Sequence, residues 1–255
     1  MRAFDPSAKL TPQQEAAASS GTKAMISFAS RPFLDFVLSA LADAGIKEIC
    51  LVIGPEHTEM RRYYGQIRAK RIQFYFAVQN EPRGTADALL CAEPFAAGEC
   101  FLALNSDNYY PAAAFRGLRE WNAPAIAAFE LESLVRESNI SRGRIASYAL
   151  LEVGPDGFLR RIVEKPDAAA FAAWPAPALV SVNLWSFSPR IFDACRRVPP
   201  SSRGELELPL AVQYAITELG ERIRVLPFRG MFLDLSSRAD VTSVAERLKG
   251  IAVNL

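Results

Sequence analysis

The sequence predicts an α/β domain, and three observations predict it. About half of the 255 residues are apolar, which is enough for one domain with a sizeable core. From about residue 22, short apolar runs alternate with amphipathic stretches, the rhythm of strands joined by crossover helices. The apolar runs are strand-sized and bounded by charge, Gly or Pro, far short of the ~20 residues that a membrane span needs.

The elements follow in order. Residues 1–21 are rich in Ala, Gln and Ser and read as irregular. Ser30-Arg31-Pro32 offers a cap and an early-turn proline, Phe33, Phe36, Val37, Ala40 and Leu41 recur at helical spacing, and Gly45 closes the helix. Residues 49–53 read as a buried strand. Gly54-Pro55 turns the chain into a short helix, with His57 at its start. Residues 72–78 form a strand, Gly84-Thr85 opens a helix to about residue 93, and residues 101–104 form a strand ending in Asn105-Ser106-Asp107. The carboxyl ends of these strands form one sheet edge, where α/β proteins bind ligands.

No element is assigned between Asp107 and Ile145. Gly154-Pro155-Asp156-Gly157 is a tight-turn signature between residues 145–153 and 158–163, which predicts an antiparallel hairpin. A strand over 179–187, helices over 189–196 and 208–219, strands over 223–227 and 231–235, and a closing helix over 239–248 complete the reading. No Gly/Ser-rich linker breaks the chain, so residues 1–255 read as one domain.

Composition narrows the partners. A net charge of +1, from 29 basic and 28 acidic residues, leaves no basic stripe for nucleic acid or an anionic membrane. The ligands are expected to be small molecules. Cys50, Cys91, Cys100 and Cys195 lack C-x-x-C spacing and a disulfide pattern, so they read as reduced, structural thiols of a cytoplasmic protein.

Several polar residues at element ends invite a chemical role. Asp107 and Asp234 each interrupt apolar sequence, and a buried lone carboxylate costs several kcal/mol unless something pairs with it. A Mg²⁺ between them would meet that need; so would a loop cap at Asp107 and an arginine partner for Asp234. Gln79 ends a strand, and Gly84-Thr85 gives a ligand access to backbone N–H groups at a helix start, or is an ordinary turn. In Glu164-Lys165-Pro166 the proline biases Lys165 to an extended conformation and turns two charges to opposite sides, functional or merely solvated. Lys23 precedes an apolar run in a chain whose basic residues are mostly arginine. His57 has no Gly-x-Ser-x-Gly elbow or positioned cysteine beside it and reads as a surface residue. Tyr109, Tyr110 and Trp185 could line a sugar site or simply pack.

Taken in order, these residues resemble the nucleotidyltransferase family that makes nucleotide sugars from an NTP and a sugar 1-phosphate. Thr22-Lys23-Ala24-Met25 followed by Arg31-Pro32 looks like the family's Pro-Lys-x-Leu segment and its Gly-(Arg/Lys)-Pro continuation. Gln79 with Gly84-Thr85-Ala86 resembles the base-reading strand and turn, and Asn105-Ser106-Asp107 the Gly-Asp metal site. Glu164-Lys165-Pro166 matches the Glu-Lys-Pro motif in full, and Asp234 with Ala239-Asp240 resembles the Trp-x-Asp-x-Gly-Thr-x-x-Asp element. The likeness spans about residues 22–248.

The resemblance implies a Rossmann-like nucleotidyltransferase fold: a mixed, mainly parallel sheet with helices on both faces and a small hairpin-containing sugar-binding lobe. Residues 22–140 would form the nucleotide-binding half and 141–255 the sugar-phosphate half. Gln79, Gly84 and Thr85 would hold the nucleotide, Lys23 the triphosphate, and Asp107 and Asp234 a Mg²⁺. Lys165 would hold the sugar phosphate and Glu164 the sugar hydroxyls, with Val182 and Asn183 nearby. In a form that carries the family's opening strand and loop, alanine at Asp107 or Asp234 is then expected to abolish Mg²⁺-dependent pyrophosphate release and leave the fold intact; the 255-residue form itself is expected to show little or no NTP turnover and lowered stability. A homo-oligomeric state is left open.

The sequence departs from the family at its start. The opening strand and the Gly-x-Gly-Thr-Arg-(Leu/Met)-x-Pro loop do not precede Lys23, and Met1-Arg2 looks like the tail of that loop. The expectation is a missing first strand and a start assigned to an internal methionine. Ser106 and Ser236-Ser237 replace glycine and Gly-Thr, and Asn183 stands where Gly is common. Two other readings keep the fold: a non-catalytic binding module that lost the phosphate loop, and a cytidylyltransferase acting on phosphocholine or another small phosphate.

Overall fold

A computed structural model of the chain describes residues 10–12, 14–15 and 22–255. Two dipeptide strands, β1 (Ser27–Phe28) and β2 (Arg31–Pro32), pair antiparallel through Ala29 and Ser30, both at positive φ. Ser30 therefore belongs to a turn and does not cap the helix, α1 (Phe33–Asp43), whose N-cap position falls to Pro32. Helix α1 is buried from Phe33 to Ala42, including the carboxylate of Asp35. Tyr63 and Tyr64 of α2 (Thr58–Gln66) each donate a hydroxyl to Asp35 at 2.9 Å, so the buried charge pins α2 onto α1.

Helix α2 connects β3 (Glu48–Ile53) to β4 (Gln73–Val78), which pair in parallel from Glu48↔Gln73 to Ile53↔Val78. Next come α3 (Thr85–Cys91), α4 (Glu93–Ala96), β5 (Phe101–Leu104) and β6 (Asn108–Tyr109). The stretch without a sequence assignment holds α5 (Ala112–Trp121), β7 (Ala125–Glu130), α6 (Leu131–Glu137) and α7 (Arg142–Ile145). The hairpin is β8 (Ala149–Val153) and β9 (Leu159–Val163), with Gly157 at φ +76° in its turn. Then follow α8 (Ala168–Ala172), β10 (Leu179–Phe187), α9 (Arg190–Arg197), α10 (Leu208–Thr217), β11 (Arg224–Phe228), β12 (Leu233–Asp234) and α11 (Asp240–Leu248).

The main sheet runs β11-β7-β10-β8-β9, with β5 also on β10. It is mixed, but the expected predominance of parallel pairing does not hold. Strand β10 is antiparallel to β5, β7 and β8, and β9 is antiparallel to β8; only β11 and β7 pair in parallel. The reason is that β10 threads between strands that share one direction, so β5 and β7 run alike without touching as neighbours.

Side chains alternate across β7 and β10 into two cores, so helices cover both faces. Ala127, Phe129, Val180 and Leu184 join α1, α5 and α11, whereas Ile126, Ala128, Trp185 and Phe187 join α3, α9 and α10. The β10–β7 register shifts between Ser181 and Trp185, and Asn183 there adopts φ +55°. Asparagine tolerates this left-handed bulge position, which explains why it can stand where glycine is common. Tyr110 fixes the bulge by donating its hydroxyl to the Val182 carbonyl at 2.7 Å.

Among the described residues, β3 pairs only with β4, and β5 only with β10. A cavity of about 590 Å³ lies between these two strands, lined by Ile49 and Leu51 of β3, Ala103 and Leu104 of β5, and Leu34 and Leu38 of α1. No described helix is long and apolar enough to cross a membrane.

Candidate active site

The two-residue ladder of β6 and β12 places Asp234 opposite Asn108, beside Asp107, whose carbonyl accepts the Leu235 N–H at 3.0 Å. Asn139 matches both backbone groups of Asp234: its Oδ1 accepts the N–H at 2.9 Å and its Nδ2 donates to the carbonyl at 2.8 Å. Strand β12 is thus held on both sides, and its carboxylate is fixed in direction.

Asp234 is 3 % exposed and heavily partnered. Its Oδ2 accepts from Arg144 Nη2 and Tyr148 Oη, each at 2.7 Å, and from Ser236 Oγ at 2.6 Å. Its Oδ1 accepts from Asn108 Nδ2 at 3.0 Å and lies 2.5 Å from the same Ser236 Oγ, whose one proton the two oxygens share. Of the two sequence readings for this residue, the arginine partner is the one found. Burial, then the charge of Asp234 and the hydrogen bond to it, push the Tyr148 phenol far up, so Tyr148 stays a neutral donor.

Asp107 is held more loosely. Lys23 Nζ lies 3.2 Å from its Oδ2, and both side chains remain more than a quarter exposed. Burial pushes the Asp107 carboxyl up; Lys23 opposes that shift and Asp234 adds to it. The repulsion from Asp234 puts the two carboxylates in one local field.

Residues in this arrangement do not fit the expected Mg²⁺. Two carboxylate oxygens offer about four lone-pair directions, and four protein donors, on Arg144, Tyr148, Asn108 and Ser236, already meet those of Asp234. Only Asp107 has acceptor capacity to spare. No group of three His, Cys, Asp or Glu side chains among the described residues is arranged to hold a metal. The negative charge is balanced instead by Lys23 and Arg144.

Glu164 and Lys165 stand across the cleft, both exposed, just after β9. Lys165 does not take the extended conformation expected before proline; it sits at φ +44°, a left-handed bend that turns the chain, seats Pro166 in a buried position and leads into α8. Asp167 caps that helix by accepting the Ala170 N–H at 2.7 Å. Glu164 is exposed yet sits in the crowded cleft mouth, where desolvation and then Glu207 raise its carboxyl.

Gln79 caps the end of β4 by donating Nε2 to the Gly84 carbonyl at 3.0 Å and to Asp87 Oδ2 at 2.8 Å. That commits the amide nitrogen and leaves Oε1 as the acceptor. Gly84 is at φ +119°, and a Cβ there would meet the Leu206 carbonyl at 2.5 Å. The glycine is therefore required by close packing of the chain's own 206–208 segment, which also takes up the Ala86 N–H and Thr85 Oγ1. The expected ligand approach at this backbone position is filled on its Cβ side by Leu206.

Three adjoining cavities of about 510, 490 and 590 Å³ share Asn105 and Asn183 as common walls. Together they bring Lys23, Thr85, Asp107, Glu164, Lys165, Asn183 and Asp234 to one cleft. Gln79 and Gly84 are not among the residues lining these three cavities, and Val182 lies in the core with its carbonyl on Tyr110. Tyr109, Tyr110 and Trp185 are buried packing residues, and Phe232, buried under β12, touches Tyr110, Phe129 and Tyr148 at ring-centroid distances of 5.3, 5.9 and 6.4 Å. His57 precedes α2, and its Nδ1 accepts the Gly54 N–H at 2.9 Å.

Arg144, Tyr148 and Asn139 have no counterpart among the sequence candidates, and Ser236 was marked only as a side chain where the family has glycine. Tyr148 was hidden in a stretch read as strand, although a hydroxyl next to apolar β8 is a fair signal. Arg144 carries no local mark, since its partner lies 90 residues away.

The fold and cleft define an α/β domain that gathers lysines, carboxylates and amides around one polar ligand space. Residues 18–244 match the Nucleotidyl transferase family, and the chain belongs to it. It is 27% identical over 225 residues to the low-salt glycan biosynthesis nucleotidyltransferase Agl11 of Haloferax volcanii, covering 87% of this chain and 58% of that protein. Identity to the glucose-1-phosphate thymidylyltransferase of Streptomyces antibioticus is 28%, covering 87% of this chain and 59% of that protein. The chain thus spans about three fifths of the length of these two relatives. The UTP–glucose-1-phosphate uridylyltransferase AglF of H. volcanii is 27% identical, with 89% of this chain and 88% of that protein covered. A UDP-glucose pyrophosphorylase solved with UDP-glucose shares the fold, with a TM-score of 0.71 at 16% identity over 88% of this chain and 89% of that one.

Proposed function

We propose that the protein transfers a nucleotidyl group from an NTP to a sugar 1-phosphate and releases pyrophosphate. The observation that carries this reading is the placement of Lys23 and Asp107 on one wall of a cleft and Glu164 and Lys165 on the other. The names of relatives that act on glucose 1-phosphate support it. Residues 22–140 serve the nucleotide and 141–255 the sugar phosphate, in a cytoplasmic enzyme.

A phosphate oxygen of the sugar 1-phosphate attacks the α-phosphorus in line. The bond from that phosphorus to the bridging oxygen breaks, and pyrophosphate leaves with the electron pair. The nucleophile is already an anion, so the protein needs no proton-accepting base and acts by positioning and charge neutralisation. Lys23 takes the triphosphate, Lys165 the sugar phosphate, Glu164 the sugar hydroxyls, and Asn183 with the Val182 backbone the sugar edge. Gln79, oriented by Gly84 and Asp87, presents Oε1 as an acceptor to a base bearing a ring N–H. Uracil and thymine carry one at N3 and guanine at N1, whereas cytosine and adenine carry none, which weighs against cytidylyl transfer; the names of the relatives add uridylyl and thymidylyl transfer.

The crowded Asp234 also favours a second reading, a module that binds nucleotide without turning it over. A coupled pyrophosphate assay with UTP, dTTP and CTP against several sugar 1-phosphates and phosphocholine separates them. Release with UTP or dTTP and a sugar phosphate, at least tenfold above CTP, is expected, and Lys165→Ala should cut it by about 100-fold with little change in Tm. Nucleotide binding with no release under any pairing selects the module, and release with CTP and phosphocholine selects the cytidylyltransferase.

A further inference from the structure

Two carboxamides at the centre of the cleft are left unused by the fold. Asn105 follows β5 and Asn183 lies in the β10 bulge, each next in sequence to the Leu104↔Leu184 pair that ends the ladder between these strands. Both are half-buried, and both line each of the three cavities. Their backbones are engaged. The Asn105 carbonyl accepts the Asn108 N–H at 3.4 Å; the Asn183 N–H donates to Ser181 Oγ, and its carbonyl accepts from Tyr110 Oη, each also at 3.4 Å. Neither side-chain amide makes a hydrogen bond to a described residue. Asn183 carries strain besides: glycine adopts φ +55° more freely, so this side chain is kept at a cost to the fold and faces ligand space.

We propose that Asn105 and Asn183 form a paired amide reader for the acceptor, and that the acceptor they select is a neutral hexose 1-phosphate with free hydroxyls. This rests on the transferase reading and extends it, because Asn105 has no role there. A carboxamide both donates and accepts, as a sugar hydroxyl does, whereas the Glu164 carboxylate only accepts. Two amides on neighbouring strands therefore match two neighbouring hydroxyls, each through its proton and its lone pairs. The pair stands where the cavity of Glu164 meets that of Lys165. With the sugar phosphate on Lys165, the hydroxyls next to the phosphate-bearing carbon come to that junction. Other acceptors fit less well. Apart from Ala149 and the Tyr148 ring, every side chain lining the first cavity is polar or charged, so an acetamido methyl finds almost no apolar contact and a quaternary ammonium finds no aromatic cage. Asp107, Glu164 and Asp234 repel an acidic sugar.

Binding of nucleotide sugars tests this without requiring turnover. Isothermal titration with UDP-glucose, dTDP-glucose and GDP-glucose finds the base; the tightest of them is then compared with its N-acetylglucosamine counterpart and with the bare nucleoside diphosphate. Wild type should bind the glucose compound at least tenfold more tightly than the N-acetylglucosamine compound. Asn183→Gly and Asn105→Ala should each weaken the glucose compound by about tenfold and the bare diphosphate by less than threefold. Asn183→Gly should keep Tm within about 2 °C of wild type, so its lost affinity is not a damaged fold. If Asn105→Ala fails to fold, Asn105→Ser takes its place with the same expectation. Asn122→Gly, which removes a left-handed asparagine at the end of α5, away from the cavities, should leave affinity unchanged. Undiminished binding of the glucose compound by either cleft variant, equal weakening of the bare diphosphate, or a preference for N-acetylglucosamine overturns the amide reader and leaves the transferase standing. A wild-type protein that binds none of the glucose compounds breaks the transferase reading itself, and the reader with it.

Discussion

The two walls of the cleft are built on opposite principles. On one, Asp234 is 3 % exposed and accepts from Arg144, Tyr148, Asn108 and Ser236, while Asn139 holds its backbone. On the other, Glu164 and Lys165 are exposed and have no ion pair among the described residues. The first wall is part of the fold's polar core, and its charge is neutralised from within. The second contributes little to stability and has unsatisfied charge to offer a ligand. A carboxylate in the right motif is thus not equivalent to one ready to bind: readiness depends on what its oxygens already do.

The largest effect that could break this contrast is at Asp234. Asp234→Ala leaves Arg144, Tyr148 and Asn108 donors without their acceptor, and should cost about 3–5 kcal/mol, or a fall in Tm of roughly 10 °C for a chain of this size. Sparing of the fold is therefore expected of Asp107→Ala and not of Asp234→Ala, because the Asp107 ion pair is partly exposed. Asp107→Ala should shift stability by no more than about 1 kcal/mol. Urea or thermal unfolding of the two variants side by side checks this; equal losses would erase the distinction.

A smaller effect is expected at Tyr148. Tyr148→Phe keeps the ring on Phe232 and removes one hydrogen bond to a charged acceptor, worth about 1.5–3 kcal/mol. Thermal unfolding measures it, and a change below about 0.5 kcal/mol would mean that Arg144 and Ser236 alone satisfy Asp234.

How much of this was legible in the sequence follows the same line. The hairpin, β5 and β10 were readable because their signals are local: a Gly-Pro-Asp-Gly turn, and apolar runs bounded by polar residues. Strand β7, Ala-Ile-Ala-Ala-Phe-Glu, was missed because alanine favours helix, and only burial on both faces makes this a strand. Within the site, the motif residues were found by order along the chain. Arg144, Tyr148 and Asn139 were not, because what selects them is a contact across 86 to 95 residues of sequence. Lys165 shows a local rule overruled: proline favours an extended neighbour, yet the buried seat of Pro166 sets a left-handed bend.

The smallest effect lies on the open wall and depends on pH. Desolvation and Glu207 raise the Glu164 carboxyl above its ordinary value of 4.5. A carboxyl raised on folding favours the folded state only while protonated, so its contribution is full below the unfolded value and is lost as pH rises through the folded one. Glu164→Gln, neutral throughout, should match wild type in Tm near pH 4 and exceed it by a degree or two near pH 7, a small gain because the side chain is exposed and screened. A gap that closes as pH rises would reverse the sign and mean that Lys165 and Arg203, which pull the carboxyl down, outweigh desolvation and Glu207. The open wall would then be neutralised internally, as the Asp234 wall is, and its charge would not be free for a sugar.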